Sequence, residues 1–289
     1  MKQVKPKKSL GQHFLTDLTI ARRIADTVDA CPDIPVLEIG PGMGVLTQFL
    51  ITKPREVAAV EIDRESIAYL RQHFPQFAAP LPTGEGLGVG PSLISGDFLR
   101  MDLHDLFGGR QFVLTGNYPY DISSQIFFKM LDNRDLIPCC TGMIQREVAL
   151  RMASQPGSKT YGILSVLIQA WYDVEYLFTV EPSVFNPPPK VQSAVIRMTR
   201  NDVTSLGCDE QLFRRIVKTV FNQRRKMLRV SLRQLLSAES LVALQDSLNT
   251  PLPMGEGSGV GLSLTLRPEQ LSIPQFVDLT NHVAPLLNP

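Results

Sequence analysis

Val36-Leu37-Glu38-Ile39-Gly40-Pro41-Gly42-Met43-Gly44 is a short apolar run that breaks into a turn with three alternating glycines. The run reads as a strand, and residues 45–52 behind it read as a helix. At such a junction Gly40 and Gly42 let the backbone turn tightly beside a ligand, and Gly44 lets the helix start close to the sheet. Working outward, further apolar strand candidates lie at 57–62, 93–95, 112–115 and 142–144, with helical stretches such as 66–74 between them. Short apolar strands separated by helices predict an α/β fold with a doubly wound, mostly parallel, Rossmann-like sheet. Residues 161–172 read as a helix, and 174–179 with 193–199 as an antiparallel pair closing the sheet edge. After Arg200 the pattern changes. Residues 212–236 carry apolar side chains at helical spacing with basic residues between them, and 239–247 and 273–287 read as further helices. Residues 1–200 are therefore expected to form one α/β domain and residues 201–289 a small helical domain.

The composition of the 289 residues, 44% hydrophobic and 20% charged, is ordinary for a globular chain. No apolar run reaches the length of a membrane span, and the basic N-terminus has no apolar stretch behind it, so a cytoplasmic protein is expected. Cys31, Cys139, Cys140 and Cys208 with His13, His73, His104 and His282 show no metal-ligand spacing. No metal is expected, and the cysteines are expected to be reduced, mostly buried thiols. A net charge of +1 excludes nothing, but the charge is unevenly spread. Lysines crowd the first eight residues, and Arg214, Arg215, Lys218, Arg224, Arg225, Lys226, Arg229 and Arg233 follow one another without an intervening acid. Such regions suit either a phosphate backbone or a solvated face. Residues 80–90 nearly repeat at 251–261. Neither copy has both the strand and the helix a phosphate loop needs, so both read as inserted loops.

The strand ends carry the chemistry. Glu38, just before the first glycine, suits a cationic amino-acid end better than a pyrophosphate. Glu61 closes the next strand, where an acid can hydrogen-bond both hydroxyls of a ribose. At the third strand end, Asp97 can accept from an adenine amine while Phe98 packs on its ring. Three successive strand ends thus offer what an adenosyl amino acid requires. The fourth ends in Asn117-Tyr118-Pro119-Tyr120. An adenine N6 amine is a poor nucleophile because its lone pair is delocalised, so a site that alkylates it needs acceptors for its hydrogens. The Asn117 side-chain oxygen and the carbonyl of Tyr118 or Pro119 supply them, Pro119 fixes the backbone, and Tyr120 can stack on the base.

These motifs, with the Ser9–Leu15 opening (Ser9-Leu10-Gly11-Gln12-His13-Phe14-Leu15), 145–149, 161–166 and Phe185-Asn186-Pro187-Pro188-Pro189-Lys190-Val191, resemble the ribosomal RNA adenine dimethylases, and within them the small-subunit (16S) branch. The resemblance spans about residues 5 to 236 and resumes at Arg267-Pro268-Glu269. It implies a methyltransferase sheet that uses S-adenosylmethionine to dimethylate the N6 amines of two adjacent adenines near the 3′ end of 16S rRNA. It further implies action on the immature small subunit, a checkpoint role in ribosome biogenesis, and a monomer. It places cofactor contacts at His13, Leu15, Gly40, Glu61, Asp97 and Asn117, to which the reading of the glycine turn and strand ends adds Glu38, Gly42 and Phe98. Asn117, Pro119, Tyr120 and Phe185 take the catalytic roles, with Phe185 as the second wall clamping a flipped-out adenine against Tyr120. RNA contacts fall at Lys7, Lys8, Lys190 and a helix bearing Arg224, Arg225 and Lys226. Two departures from the family pattern stand out. His13 replaces a frequent Asn, which leaves a backbone contact there but puts a side-chain contact in question. Tyr118 replaces the usual Leu, with a ring expected to narrow the pocket. Alternatives are a large-subunit adenine methylase of the resistance type and a non-catalytic assembly factor.

Overall fold

The computed structural model describes residues 6–7, 12–77, 91–249 and 262–287. Lys8, the stretch 9–11 and both near-repeats lie outside the described residues. The chain divides into two compact units, one of residues 1–149 and 172–200, the other of residues 150–171 and 201–289. The sequence expectation had kept 150–171 with the first domain. That segment instead groups with the helices that follow residue 200, because its contacts are made with them.

In the first unit, β1 (Phe14–Leu15), α1 (Leu18–Asp26), β2 (Val36–Ile39), α2 (Thr47–Leu50), β3 (Val57–Glu61), α3 (Arg64–His73), β4 (Ser92–Ser95), β5 (Val113–Thr115), α4 (Ser123–Asp132) and β6 (Cys139–Gln145) follow in order. α5 (Arg146–Met152) leads out of it, and β7 (Tyr172–Val180), β8 (Phe185–Asn186) and β9 (Ser193–Arg200) complete it. The main sheet runs β4-β3-β2-β5-β6-β9-β7. Its first five strands are parallel, and β9 pairs antiparallel with both β6 and β7. The expected mostly parallel, Rossmann-like sheet with an antiparallel edge is the one observed. After β2 the chain builds outward through β3 and β4, then returns to the other side with β5. The order reverses between β2 and β5, and a ligand crevice opens beyond the carboxyl ends of the strands at such a point. The strands read as continuous apolar runs because both faces are covered: every residue of β2, β3 and β5 is buried.

A second, two-stranded sheet pairs β1 with β8, Leu15 opposite Phe185. It brings residues 12–15 back over the carboxyl edge. Thr16 ties the strand down, its N–H and hydroxyl both donating to the Val184 carbonyl at 2.8 and 2.9 Å. The cysteines depart from expectation. Cys31 and Cys139 form a disulfide with Cα atoms 5.9 Å apart, a span that suits the bond. Cys140 is a buried free thiol, which burial pushes up to about 12.

The second unit contains α6 (Ile163–Gln169), α7 (Glu210–Asn222), α8 (Leu228–Ser231), α9 (Ala238–Asn249) and α10 (Ile273–Leu287). Asp209 caps α7 by accepting the Leu212 N–H at 2.8 Å. Phe213, Ile216, Val217, Val220 and Phe221 form the buried face of α7. The Phe221 ring meets Tyr161 at 6.1 Å and Phe276 of α10 at 5.9 Å. The helix expected over 212–236 is interrupted at residues 223–227, which form a turn. The reason lies downstream. The Leu228 and Arg229 N–H groups donate to the carbonyls of Leu266 and Leu264 at 2.8 and 3.0 Å, bonds a continuous helix would keep for itself. Among the described residues no helix is long and apolar enough to cross a membrane.

Candidate functional site

A cavity of about 270 Å³ opens at the carboxyl edge of the sheet, where the strand order reverses. It is lined from β1 by His13 and Leu15, from the end of β2 by Glu38, Gly40 and Gly42, and from the end of β3 by Glu61. Asp97 and Phe98 face it after β4, and Asn117, Pro119 and Tyr120 after β5. The structure thus brings the expected cofactor positions and most of the expected catalytic ones to one cavity.

The glycine turn has the backbone it needs: Gly40, Gly42 and Gly44 have φ of +65°, +57° and +77°. A side chain at Gly42 would also run into Phe14, whose ring atom lies 3.0 Å from the Cβ position. Glu61 holds the turn from the side. One oxygen accepts the Gly42 N–H at 3.0 Å, and the other accepts the N–H groups of Ile62 and Asp63, both at 2.9 Å. The N-cap of α3 is Asp63, so Glu61 is free of that duty. Burial pushes the Glu61 carboxyl up, against the pull of those three N–H groups.

Glu38 is 1% exposed and accepts the Thr47 hydroxyl at 2.7 Å. Burial pushes its carboxyl to about 8, although the Thr47 bond pulls it down. Thr47 carried no sequence signal of this role, because a Thr in a helix pattern is unremarkable. Ile62, 54% exposed at the cavity, was equally silent; its one clue is a large apolar residue just past a strand end. Asp97 caps the short turn after β4 by accepting the Leu99 N–H at 3.0 Å.

On the other side, Asn117 donates its amide N–H to the His13 carbonyl at 3.2 Å. A carbonyl can only accept, so this bond fixes which end of the amide is nitrogen and leaves Oδ1 without that tether. The neighbouring backbone is laced to β6: Met143 N–H donates to the Gly116 carbonyl and Tyr118 N–H to the Met143 carbonyl, each at 2.9 Å. The Tyr120 hydroxyl lies 2.5 Å from Ser193 Oγ.

Several expectations change. Tyr118 does not narrow the cavity with an exposed ring. It is 1% exposed, donates its hydroxyl to the Thr141 carbonyl at 2.9 Å and meets Phe127 edge-on at 5.5 Å. Room for it exists because residue 142 is glycine, whose Cβ would come within 2.7 Å of Tyr118 Cε2 and collide with the Gly116 carbonyl. Phe185 is 4% exposed, packed in the core with Leu15, Ile24 and Val180, and is not among the cavity-lining residues. Its pairing within β8 turns the ring inward, which the stiff proline-rich sequence after it did not reveal.

The His13 side chain is held by protein groups: Nδ1–H donates to the Pro187 carbonyl at 2.8 Å, and the ring stacks on Tyr120. Lys7 is paired with Asp63 at 2.5 Å and Glu65 at 3.3 Å. Burial pushes Asp63 up, yet Lys7, Ser66 and the Glu65 N–H together hold it below its ordinary value. Lys190 is exposed. Arg224, Arg225 and Lys226 sit on the turn after α7 and not on a helix. Arg224 donates to the Ser158 carbonyl at 3.2 Å and lies 3.9 Å from Glu269, while Arg225 and Lys226 are exposed. Among the described residues no cluster of His, Cys, Asp and Glu could hold a metal.

Residues 3–258 match the family model described as ribosomal RNA adenine dimethylase. The chain is 60% identical over 283 residues to the ribosomal RNA small subunit methyltransferase A of Bacteroides thetaiotaomicron, covering 98% of this chain and 96% of that protein. Among solved structures it resembles a dimethyladenosine transferase from Plasmodium falciparum, with a TM-score of 0.70 at 23% identity over 94% of this chain and 98% of that one. It also resembles the 23S rRNA methyltransferase ErmE, with a TM-score of 0.62 at 25% identity over 93% and 99%. The chain belongs to the ribosomal RNA adenine dimethylase family.

Proposed function

We propose that the cavity binds S-adenosylmethionine beside a flipped-out adenine, and that the enzyme dimethylates two adjacent adenines near the 3′ end of 16S rRNA. The enzyme is an S-adenosylmethionine-dependent rRNA adenine dimethyltransferase. S-adenosylmethionine supplies a methyl group on a positively charged sulfur. The residues present fit it. Gly40 and Gly42 line the cavity, the Glu61 carboxylate suits ribose hydroxyls, and Asp97 with Phe98 and Ile62 suits an adenine ring.

The observation that carries the reading is the Asn117 amide, tethered by its nitrogen to the His13 carbonyl at the mouth of the same cavity. Its Oδ1 then serves as acceptor for one N6 hydrogen, and the Pro119 carbonyl serves for the second. Holding both hydrogens favours a nitrogen whose lone pair is available for attack. Tyr120, its hydroxyl anchored at Ser193, gives the base a stacking face. Positioned acceptors of this kind act on the developing charge without reorganising. Lys190, Arg225 and Lys226 are the exposed cations we assign to the rRNA backbone. Lys7 and Arg224 have acidic partners, and Phe185 is assigned to the core. The substrate is the immature small subunit in the cytoplasm, the enzyme works as a monomer, and methylation acts as a checkpoint in ribosome biogenesis.

The test is methyl transfer to small subunits that lack dimethyladenosine. Label should appear as N6,N6-dimethyladenosine in small-subunit RNA. Asn117→Ala should lower kcat by about 10²–10³-fold, the cost of removing one well-placed polar group from a transition state. Label confined to large-subunit RNA, or no transfer, would overturn the assignment.

A further inference from the structure

The His13 ring lies against Tyr120 with centroids 5.6 Å apart and planes at 27°. That is direct offset stacking, within the usual range of about 4.5–7 Å, and it leaves no room for a third ring between the two. The imidazole therefore covers one face of Tyr120, the ring that the proposed function gives to the target base as its platform. Among the described residues its side chain has one hydrogen bond, from Nδ1 to the Pro187 carbonyl, on a residue that is only partly buried. The His13 backbone, by contrast, carries a separate duty as acceptor for Asn117. Ring and backbone can thus act independently, since χ1 rotation moves one without the other.

We propose that His13 is a placeholder in the base site: its imidazole covers Tyr120 in the RNA-free enzyme, and the flipped adenine displaces it. A bare Tyr120 would expose an aromatic face to water or to any passing base. With the imidazole in place, an entering base must win the face, and an adenine that also satisfies the acceptors at Asn117 and Pro119 does so. His13 is in this sense a specificity-determining residue. The inference rests on Tyr120 being the base platform.

The experiment compares His13→Ala, His13→Asn and His13→Phe in steady-state methylation of small subunits, with S-adenosylmethionine affinity measured separately by calorimetry. Ala and Asn remove the competing ring, so kcat/KM for RNA should rise by about two- to tenfold, the equivalent of one aromatic pair. Phe, a stronger competitor, should raise KM for RNA. Calorimetry separates any change in cofactor affinity from the change in RNA handling. A fall in kcat/KM for both Ala and Asn would overturn the proposal, because the imidazole would then be a wall that stabilises the bound base. Tyr120→Ala separates the two levels. If it retains full kcat/KM, the platform itself is wrong; if it is crippled while the His13 variants also fall, only the placeholder role is lost. In the free protein the imidazole ring protons should be shifted upfield by Tyr120 in NMR spectra. They should move toward ordinary values when RNA is added, and unchanged shifts at saturating RNA would overturn the displacement.

Discussion

At the end of β2 a single carboxylate holds the glycine turn, Glu61 accepting the Gly42 N–H at 3.0 Å from the neighbouring strand. At the end of β5 the main chain does that work, exchanging hydrogen bonds with Met143 on either side of Asn117. The Tyr118 hydroxyl adds a third tie at the Thr141 carbonyl. The half of the cavity we assign to the cofactor is thus shaped by ionisable side chains that also line it. The base half is shaped by backbone and a phenol that burial first, then Cys140, keeps protonated well above its ordinary value. The turn in one half is held by a carboxylate, and the segment in the other by groups that carry no charge.

The largest effect is expected where the base half is tightest. Gly142→Ala places a methyl against the Gly116 carbonyl and the Tyr118 ring at a φ of +145°, and should cost about 2–4 kcal/mol in urea unfolding. Adding Tyr118→Leu should recover only part, since the carbonyl clash remains. Wild-type stability in the single variant would break the picture of a stitched segment.

On the cofactor side, Glu61→Gln leaves one oxygen for N–H groups that now occupy two, and sets an amide NH₂ against a backbone donor. Losing a buried partner costs about 1–3 kcal/mol, so S-adenosylmethionine affinity should weaken by about tenfold or more in calorimetry. An unchanged affinity would show that the turn keeps its shape without the carboxylate.

The smallest effect concerns pH. Glu38 has a folded value of about 8 against 4.5 in the unfolded chain, so the folded state holds its proton longer. Its contribution is fully present below about 4.5 and is lost as pH rises toward 8. Glu38→Gln should flatten that part of the stability–pH profile. Parallel profiles for the two proteins would place the pH sensitivity elsewhere.

The strand ends were legible because parallel strands buried on both faces appear as bare apolar runs, punctuated where they meet the ligand edge by Gly40, Glu61, Asp97 and Asn117. What could not be read is side-chain direction. Phe185 turns into the core, Tyr118 enters a slot that exists only because residue 142 is glycine, and Arg224 folds back toward Ser158 and Glu269. Each depends on a neighbour far along the chain, as does the Cys31–Cys139 bond across 108 residues. The break after α7 was hidden for the same reason, since its cause lies at Leu264 and Leu266.

The helical unit is assembled from two stretches separated by β7, β8 and β9. α6 is therefore synthesised before the helix it packs on, and Tyr161 emerges well ahead of Phe221. A nascent chain halted near Arg200 already carries α6 without the α7 it packs on. For the same reason, cutting the gene at that point would not yield two self-sufficient fragments. A clean excision of the helical unit needs breaks at both ends of residues 150–171 and a linker to rejoin the sheet.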